Sequence, residues 1–248
     1  MQYNDKTPMS YSVREDAAPM DAGLRGYMLH IYNLMSSALA LTGISAYAGA
    51  NWAPLRDALF NLGGMHPGLT GLGWVVMFAP LLMVMGLSAG IGRMSLGAAQ
   101  AVFWAYATLM GLSLSSIFFV YTGESLVRVF FVTAILFGAM GMWGYSSKRD
   151  LTSMGHFMTM GLFGIIIASL VNLFLQSSGL QFAVSILGVV IFTGLTAYDT
   201  QKIKALYYQV AGTGETAGKF AIMGALRLYL DFINLFMMLL RFFGDRRN

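Results

Sequence analysis

The chain has no cysteine and few charged residues: only 10% of its 248 residues are Asp, Glu, Lys or Arg, and only five are proline. The absence of cysteine excludes disulfides, thiolate metal sites and cysteine nucleophiles. Soluble domains carry about 25% charged residues, so the composition also excludes that class. Hydrophobic residues make up 57% of the chain, and the mean hydropathy is +0.65. We therefore predict an integral membrane protein, whose net charge of +4 indicates topology and not nucleic-acid binding.

Uncharged intervals long enough to cross a bilayer, about 20 residues each, recur along the chain. We predict seven transmembrane helices in an all-α fold, with a break at 176–179 dividing the uncharged interval 151–198 into two. The apolar run 27–50 is longer than the core of a secretory signal, which has about 7–15 residues, so we expect it to be the first span. The predicted divisions are a flexible polar tail over 1–26, one membrane domain over 27–244 and a short C-terminal tail over 245–248.

The distribution of lysine and arginine predicts the orientation. With the N-terminus in the cytoplasm, the outer loops hold only Arg56 and Arg128. The inner segments then hold most of the basic residues, namely Lys6, Arg14, Arg25, Arg93, Lys148, Arg149, Lys202, Lys204 and Lys219. The C-terminal Arg241, Arg246 and Arg247 conflict with this pattern, because seven crossings leave them outside. A re-entrant last segment is the alternative, but we expect seven crossings.

A polar stripe runs along the last apolar segment. On a helix that turns about 100° per residue, Arg227, Asp231, Asn234 and Arg241 fall at about 0°, 40°, −20° and −40°. An ionised side chain at the bilayer centre costs at least about 2.5–3.5 kcal/mol. The stripe must therefore face protein or a wet cavity, and the other helices must surround it.

The sixth predicted span carries a second intramembrane carboxylate, Asp199, on a face of small and polar residues. Two polar faces on consecutive helices favour a contact between Asp199 and Asp231. Two such carboxylates in a poorly solvated site share a proton, which makes them a pH sensor, whereas the deprotonated pair binds a hard cation such as calcium or repels. The alternative is structural, with Asp231 bonded to Arg227 or Arg241 and Asp199 paired with Lys202.

The segments 196–201 (Thr-Ala-Tyr-Asp-Thr-Gln) and 228–236 (Leu-Tyr-Leu-Asp-Phe-Ile-Asn-Leu-Phe), followed by Leu-Leu-Arg-Phe-Phe-Gly at 239–244, resemble the Bax inhibitor-1 family. The resemblance is densest from residue 148 to residue 244 and points to the bacterial inner-membrane branch. It implies a seven-helix protein whose last helix is wrapped by the other six. It also implies a multi-pass protein of the bacterial inner membrane.

By the same resemblance, we expect a pH-sensitive calcium leak in which Asp199 and Asp231 form the sensor at the inner mouth and Arg93 latches Asp199. Calcium is then the permeant or bound ion, held by Asp199 and Asp231, and no other cofactor is expected. Expected modulators are Arg227, Asn234 and Tyr198. The chain departs from the family pattern in having Arg227, where many members are uncharged, and in having no carboxylate over 80–90.

Some of these residues also fit other classes of protein. Two intramembrane aspartates also occur in presenilin-type proteases, but the Gly-x-Gly-Asp motif is absent at Asp231, so no enzymatic activity is expected. Gly-x-Ser-x-Gly at 86–90 lacks the strand-turn-helix context of a hydrolase elbow. The histidines His30, His66 and His156 have no ligand spacing. The remaining alternative is a non-conducting membrane protein that modulates a protease or another membrane complex through protein partners in the bilayer.

Overall fold

The computed structural model describes residues 12–63 and 68–247, with side chains from residue 22 onward. Its main elements are helices: α1 (Ser12–Asn51), α2 (Ala53–Leu59), α3 (Gly71–Gly90), α4 (Leu96–Leu114), α5 (Ile117–Val120), α6 (Gly123–Ser146), α7 (Thr152–Leu175), α8 (Ser178–Val210) and α9 (Glu215–Phe243). A short antiparallel hairpin of β1 (Phe60–Asn61) and β2 (Gly68–Leu69) lies between α2 and α3. The predicted all-α membrane class is thereby confirmed.

Six helical segments of the described chain are long and apolar enough to cross a membrane: Gly71–Gly90, Leu96–Val120, Gly123–Ser146, Thr152–Leu175, Ser178–Val210 and Glu215–Phe243. The break predicted at 176–179 matches the boundary between α7 and α8, where Gln176 adopts a left-handed conformation. Helix α1 is not among the six. Its polar residues His30, Asn33, Ser36 and Ser37 reduce its hydropathy.

Helix α1 begins well before the first predicted span. Residues 12–26, which the sequence analysis assigned to a flexible tail, are helical, whereas residues 1–11 lie outside the described part of the chain. The tail and the first helix therefore form one continuous element at the backbone level.

Helix α9 is the most buried of the six apolar segments. It packs chiefly against α8, α1, α6 and α4, and most of its residues are buried, from Ala221 to Leu240. Its Tyr229 hydroxyl lies 2.7 Å from the Thr42 hydroxyl of α1. At 1.5 Å per residue, its 29 residues extend about 43 Å without interruption. The helix is therefore one unbroken element from Glu215 to Phe243.

The two ends of the bundle differ in the elements that meet there. At one end, which we call the aspartate end, the last turn of α6 contacts α8, with the Lys204 ammonium donating to the Tyr145 carbonyl at 2.8 Å. At the opposite end, the backbone of Thr122 donates to the carbonyl of Asp245 at 3.0 Å. The Arg128 guanidinium there pairs with the Asp245 carboxylate at 2.7 Å. The C-terminal segment is thus tied to the start of α6.

Gly144 allows α6 and α8 to approach closely, because a Cβ at this position would overlap the Ala197 carbonyl oxygen. We expect Gly144→Ala to destabilise the protein by about 1–3 kcal/mol, the usual cost of overpacking. Thermal unfolding in detergent measures the effect as a lower Tm. Gly138→Ala on the same helix is the matched control, since no atom lies within 4 Å of the added methyl group. Equal Tm values for the two variants would contradict this packing.

Candidate functional site

Asp199 is buried on α8, with 7% of its surface exposed. It lies on the face of the helix that also carries Thr196 and Thr200, which are fully buried. The Thr196 hydroxyl donates to the Phe192 carbonyl at 2.7 Å, and Thr200 contacts the Tyr32 hydroxyl of α1 at 3.3 Å. The side chains next to Asp199 on this face are therefore uncharged hydroxyl groups, which do not offset a negative charge on its carboxylate.

Asp231 is buried on α9 at the same level, with 6% of its surface exposed. Its carboxyl group lies within hydrogen-bonding reach of the Asp199 carboxyl group. Oδ2 of Asp231 is buried and receives no hydrogen bond from a donor in the described part of the chain. Two ionised carboxylates in a buried site repel each other, so such a contact is more favourable when one of the two groups is protonated. The two predicted aspartates are thus brought together.

Both helices continue past the pair toward the aspartate end. Helix α8 runs on to Val210, and α9 begins at Glu215. The turn between them therefore lies well beyond the two aspartates. Gly224 allows α9 to pack closely against α1, since a Cβ at this position would lie 3.2 Å from the Ile31 side chain.

Arg227 completes the site from α9. Its Nη1 donates to Oδ1 of Asp199 at 3.3 Å, so the cation crosses to the neighbouring helix although Asp231 follows it by four residues. The Arg227 side chain is 46% exposed and that of Asp199 is 10% exposed. Arg227 therefore stands between the buried carboxyl pair and the surface. One guanidinium and two carboxyl groups therefore meet at the contact between α8 and α9.

The other predicted site residues lie around this cluster without entering it. Arg93 is exposed in the turn after α3, and its side chain makes no ion pair or hydrogen bond within residues 12–63 and 68–247. The Tyr198 ring packs on Gly155 and lies under the Lys202 ammonium, 5.5 Å from it. Asn234 donates to the Leu230 carbonyl of its own helix at 2.8 Å. The ion pair to Asp199 thus comes from Arg227 and not from Arg93.

A polar cavity of about 480 Å³ lies at the opposite end of the bundle, where α7, α8 and α9 meet. Its lining includes Ser169, Asn172, Gln181 and Arg241. Between this cavity and the aspartates, α8 and α9 are in close contact, since a Cβ on Gly188 would lie 2.7 Å from the Met238 sulfur. The interface that holds the aspartate pair is therefore closed by apolar packing toward the far cavity.

Sequence reasoning missed the contributions from α1 and from the α6–α7 connection. Tyr32 contacts Thr200, and Gln201 bonds the connection through Leu151 N at 2.9 Å and the Arg149 carbonyl at 2.8 Å. Gln201 belongs to the segment 196–201 that carries the family resemblance, so the sequence did mark this residue as a candidate. No sequence pattern marked Tyr32, because it lies 168 residues from its partner Thr200.

The described residues contain no group of three or more His, Cys, Asp or Glu that could hold a metal ion. Calcium takes about 6–8 oxygen ligands, and Asp199 with Asp231 supplies at most four. His30 and His156 are exposed, and His66 lies outside the described residues.

The family model described as inhibitor of apoptosis-promoting Bax1 matches residues 24–248. The chain belongs to the Bax inhibitor-1 family. An uncharacterised protein of Rickettsia prowazekii is 53% identical over 228 residues, covering 92% of this chain and 93% of its own length. Inner membrane protein YbhL of Escherichia coli is 46% identical over 245 residues, covering 98% of this chain and all of its own. The resemblance noted in the sequence is thereby confirmed for a multi-pass membrane protein of this family.

Proposed function

We propose that this Bax inhibitor-1 family protein is a pH-sensitive calcium leak, gated by the Asp199–Asp231 pair. The observation that carries the proposal is the buried contact between the two carboxyl groups on neighbouring helices, with Arg227 on Asp199. Buried ionisable residues inside a membrane bundle are costly and mark ion or proton pathways. A pair that needs a proton to stay together makes helix contact depend on pH.

The gate works by charge. With one proton shared, Asp231 donates to ionised Asp199 while Arg227 neutralises the remaining negative charge. Loss of the proton leaves two adjacent carboxylates, which repel each other, and Oδ2 of Asp231 has no donor to offset this. The repulsion separates α8 from α9 at the aspartate end and leaves two acidic oxygen ligands facing the opening. In this chain Arg227 takes the role that the resemblance assigns to Arg93.

The same proposal includes seven crossings with the last helix at the centre. Helix α1 runs beside α9 from the aspartate end, where Tyr27 packs on Tyr207 with ring centroids 5.3 Å apart, to the opposite end, where Gly49 meets Ser115. The described aspartate end carries Arg25, Arg93, Lys148, Arg149, Lys202, Lys204 and Lys219, so by the positive-inside rule it is cytoplasmic. We propose the inner membrane, as for YbhL.

Calcium flux into liposomes that contain the purified protein tests this function. We expect flux above that of empty liposomes, rising by about tenfold over two pH units centred on the midpoint, as one titrating proton predicts. Absence of flux from protein shown to be folded would contradict the leak. It would favour a non-conducting modulator of another membrane complex, an alternative supported by the close Gly188–Met238 packing across the same interface.

A further inference from the structure

A second polar cavity, of about 430 Å³, lies at the aspartate end outside the gate. It is formed where the α6–α7 connection meets α8. We call it the basic cavity, and its lining includes Lys148, Arg149, Asp150, Thr152, Tyr198, Gln201 and Lys202. None of these residues belongs to the carboxyl pair or to its arginine.

The basic cavity has an excess of positive charge. Lys148, Arg149 and Lys202 make no ion pair with any carboxylate in the described part of the chain. Its one acid is Asp150, and hydrogen bonds from the side chain and backbone amide of Thr152 hold the pKa of that carboxyl below its usual value. Asp150 is therefore ionised at neutral pH, and the cavity keeps a net positive charge.

The floor of the cavity is held in place by hydrogen bonds. Gln201 accepts from the Leu151 amide at 2.9 Å and donates to the Arg149 carbonyl at 2.8 Å. Lys202 lies 5.5 Å from the centre of the Tyr198 ring, a cation–π distance. The backbone that carries the three cations is thus ordered before any anion arrives, which lowers the entropy cost of binding.

The position of the cavity identifies the kind of anion. Helix α6 ends at Ser146 and α7 begins at Thr152, so the cavity lies where the helices leave the apolar layer. Just beyond it on α7, Phe157 and Met160 are 70% and 73% exposed, as lipid-facing side chains are. A ligand with a phosphate in the basic cavity and an acyl chain along α7 would contact both the cations and the exposed apolar side chains.

We propose that the basic cavity binds the phosphate of an anionic phospholipid headgroup. Basic pockets between transmembrane helices on the cytoplasmic side suit such headgroups, and lysine and arginine form charge-assisted hydrogen bonds with phosphate. Lipid binding here is independent of whether the protein conducts calcium.

Native mass spectrometry of the full chain in detergent, with phosphatidylglycerol and phosphatidylcholine offered in equal amounts, tests the site. We expect wild type to retain phosphatidylglycerol preferentially. We expect Lys148→Gln/Lys202→Gln to bind it about 30-fold more weakly, since each basic residue near the surface strengthens binding by about fivefold. The matched control is Arg25→Gln/Arg93→Gln, which removes the same charge at the same end outside the cavity.

Equal loss of binding in the two double variants would overturn the proposal, because it would show attraction to net charge alone. Equal retention of the two lipids by wild type would overturn it as well. Displacement of phosphatidylglycerol by inorganic phosphate at millimolar concentration would assign the cavity to a free anion and would also contradict the lipid. Unchanged thermal unfolding of each variant shows that lost binding is not lost folding.

Discussion

Asp231→Asn is expected to abolish the pH dependence of calcium flux and leave a low, constant rate. Asparagine keeps the shape of the protonated acid, and its amide donates a hydrogen bond to ionised Asp199 at every pH. No second negative charge therefore forms at the contact between α8 and α9. The ratio of fluxes across the two pH units centred on the wild-type midpoint should fall from about ten to about one. Flux into liposomes, with protein content matched, measures the ratio.

Asp199→Asn should flatten the response in the same way, because repulsion requires both carboxylates. The matched control is Asp245→Asn, the same chemical change at the opposite end, where Asp245 pairs with Arg128 and is exposed. It should retain the wild-type ratio. An Asp231→Asn variant that keeps the full pH dependence would place the sensor elsewhere in the chain.

Arg227→Gln is expected to move the midpoint of the flux response upward by about one pH unit. A cation beside a carboxylate favours its ionised form by about 1–3 pH units, and we take the lower end because the Arg227 side chain is 46% exposed. Without the cation, the two carboxyl groups hold their shared proton to higher pH, and the helices stay together longer. Flux measured at closely spaced pH values gives the shift.

Two other arginines serve as controls for Arg227. Arg241 lies on the same polar stripe fourteen residues further along α9, or about 21 Å at 1.5 Å per residue, and Arg241→Gln should leave the midpoint unchanged. Arg93→Gln tests whether Arg93 or Arg227 holds Asp199. Since Arg93 makes no ion pair in the described residues, this variant should also leave the midpoint unchanged. A midpoint that moves in Arg93→Gln but not in Arg227→Gln would refute the Arg227 assignment.

Several features were predictable from sequence because they follow from local patterns. The polar stripe on the last helix predicted that other helices surround it, and α9 is the most buried of the six apolar segments. Within the stripe only Asp231 is buried, whereas Arg227 and Arg241 are exposed. The break at 176–179 was visible because polar residues interrupt an uncharged interval, and α7 ends at Leu175 as expected. Asp199 and Asp231 were predicted to meet because each lies on the polar face of its helix.

What escaped prediction depends on partners distant in sequence. Arg227 stands four residues before Asp231, a spacing that favours an ion pair within the helix. In the structure its guanidinium instead pairs with Asp199, because the packing of α8 against α9 brings that carboxylate within reach. The C-terminal segment pairs with Val120 and Thr122 through backbone hydrogen bonds that no side-chain pattern encodes. The helical start of α1 at Ser12 was hidden by a mixture of charges that also suits a tail.

The most direct test of the central claim is an infrared difference spectrum of the protein in lipid between about pH 6 and about pH 8. We predict that wild type loses the carbonyl band of a protonated carboxylic acid as the pH rises, and that Asp231→Asn shows no such loss. The loss should follow the same midpoint as calcium flux. A wild-type spectrum without a titrating carboxylic acid, or one whose band persists unchanged in Asp231→Asn, would contradict a shared proton between Asp199 and Asp231.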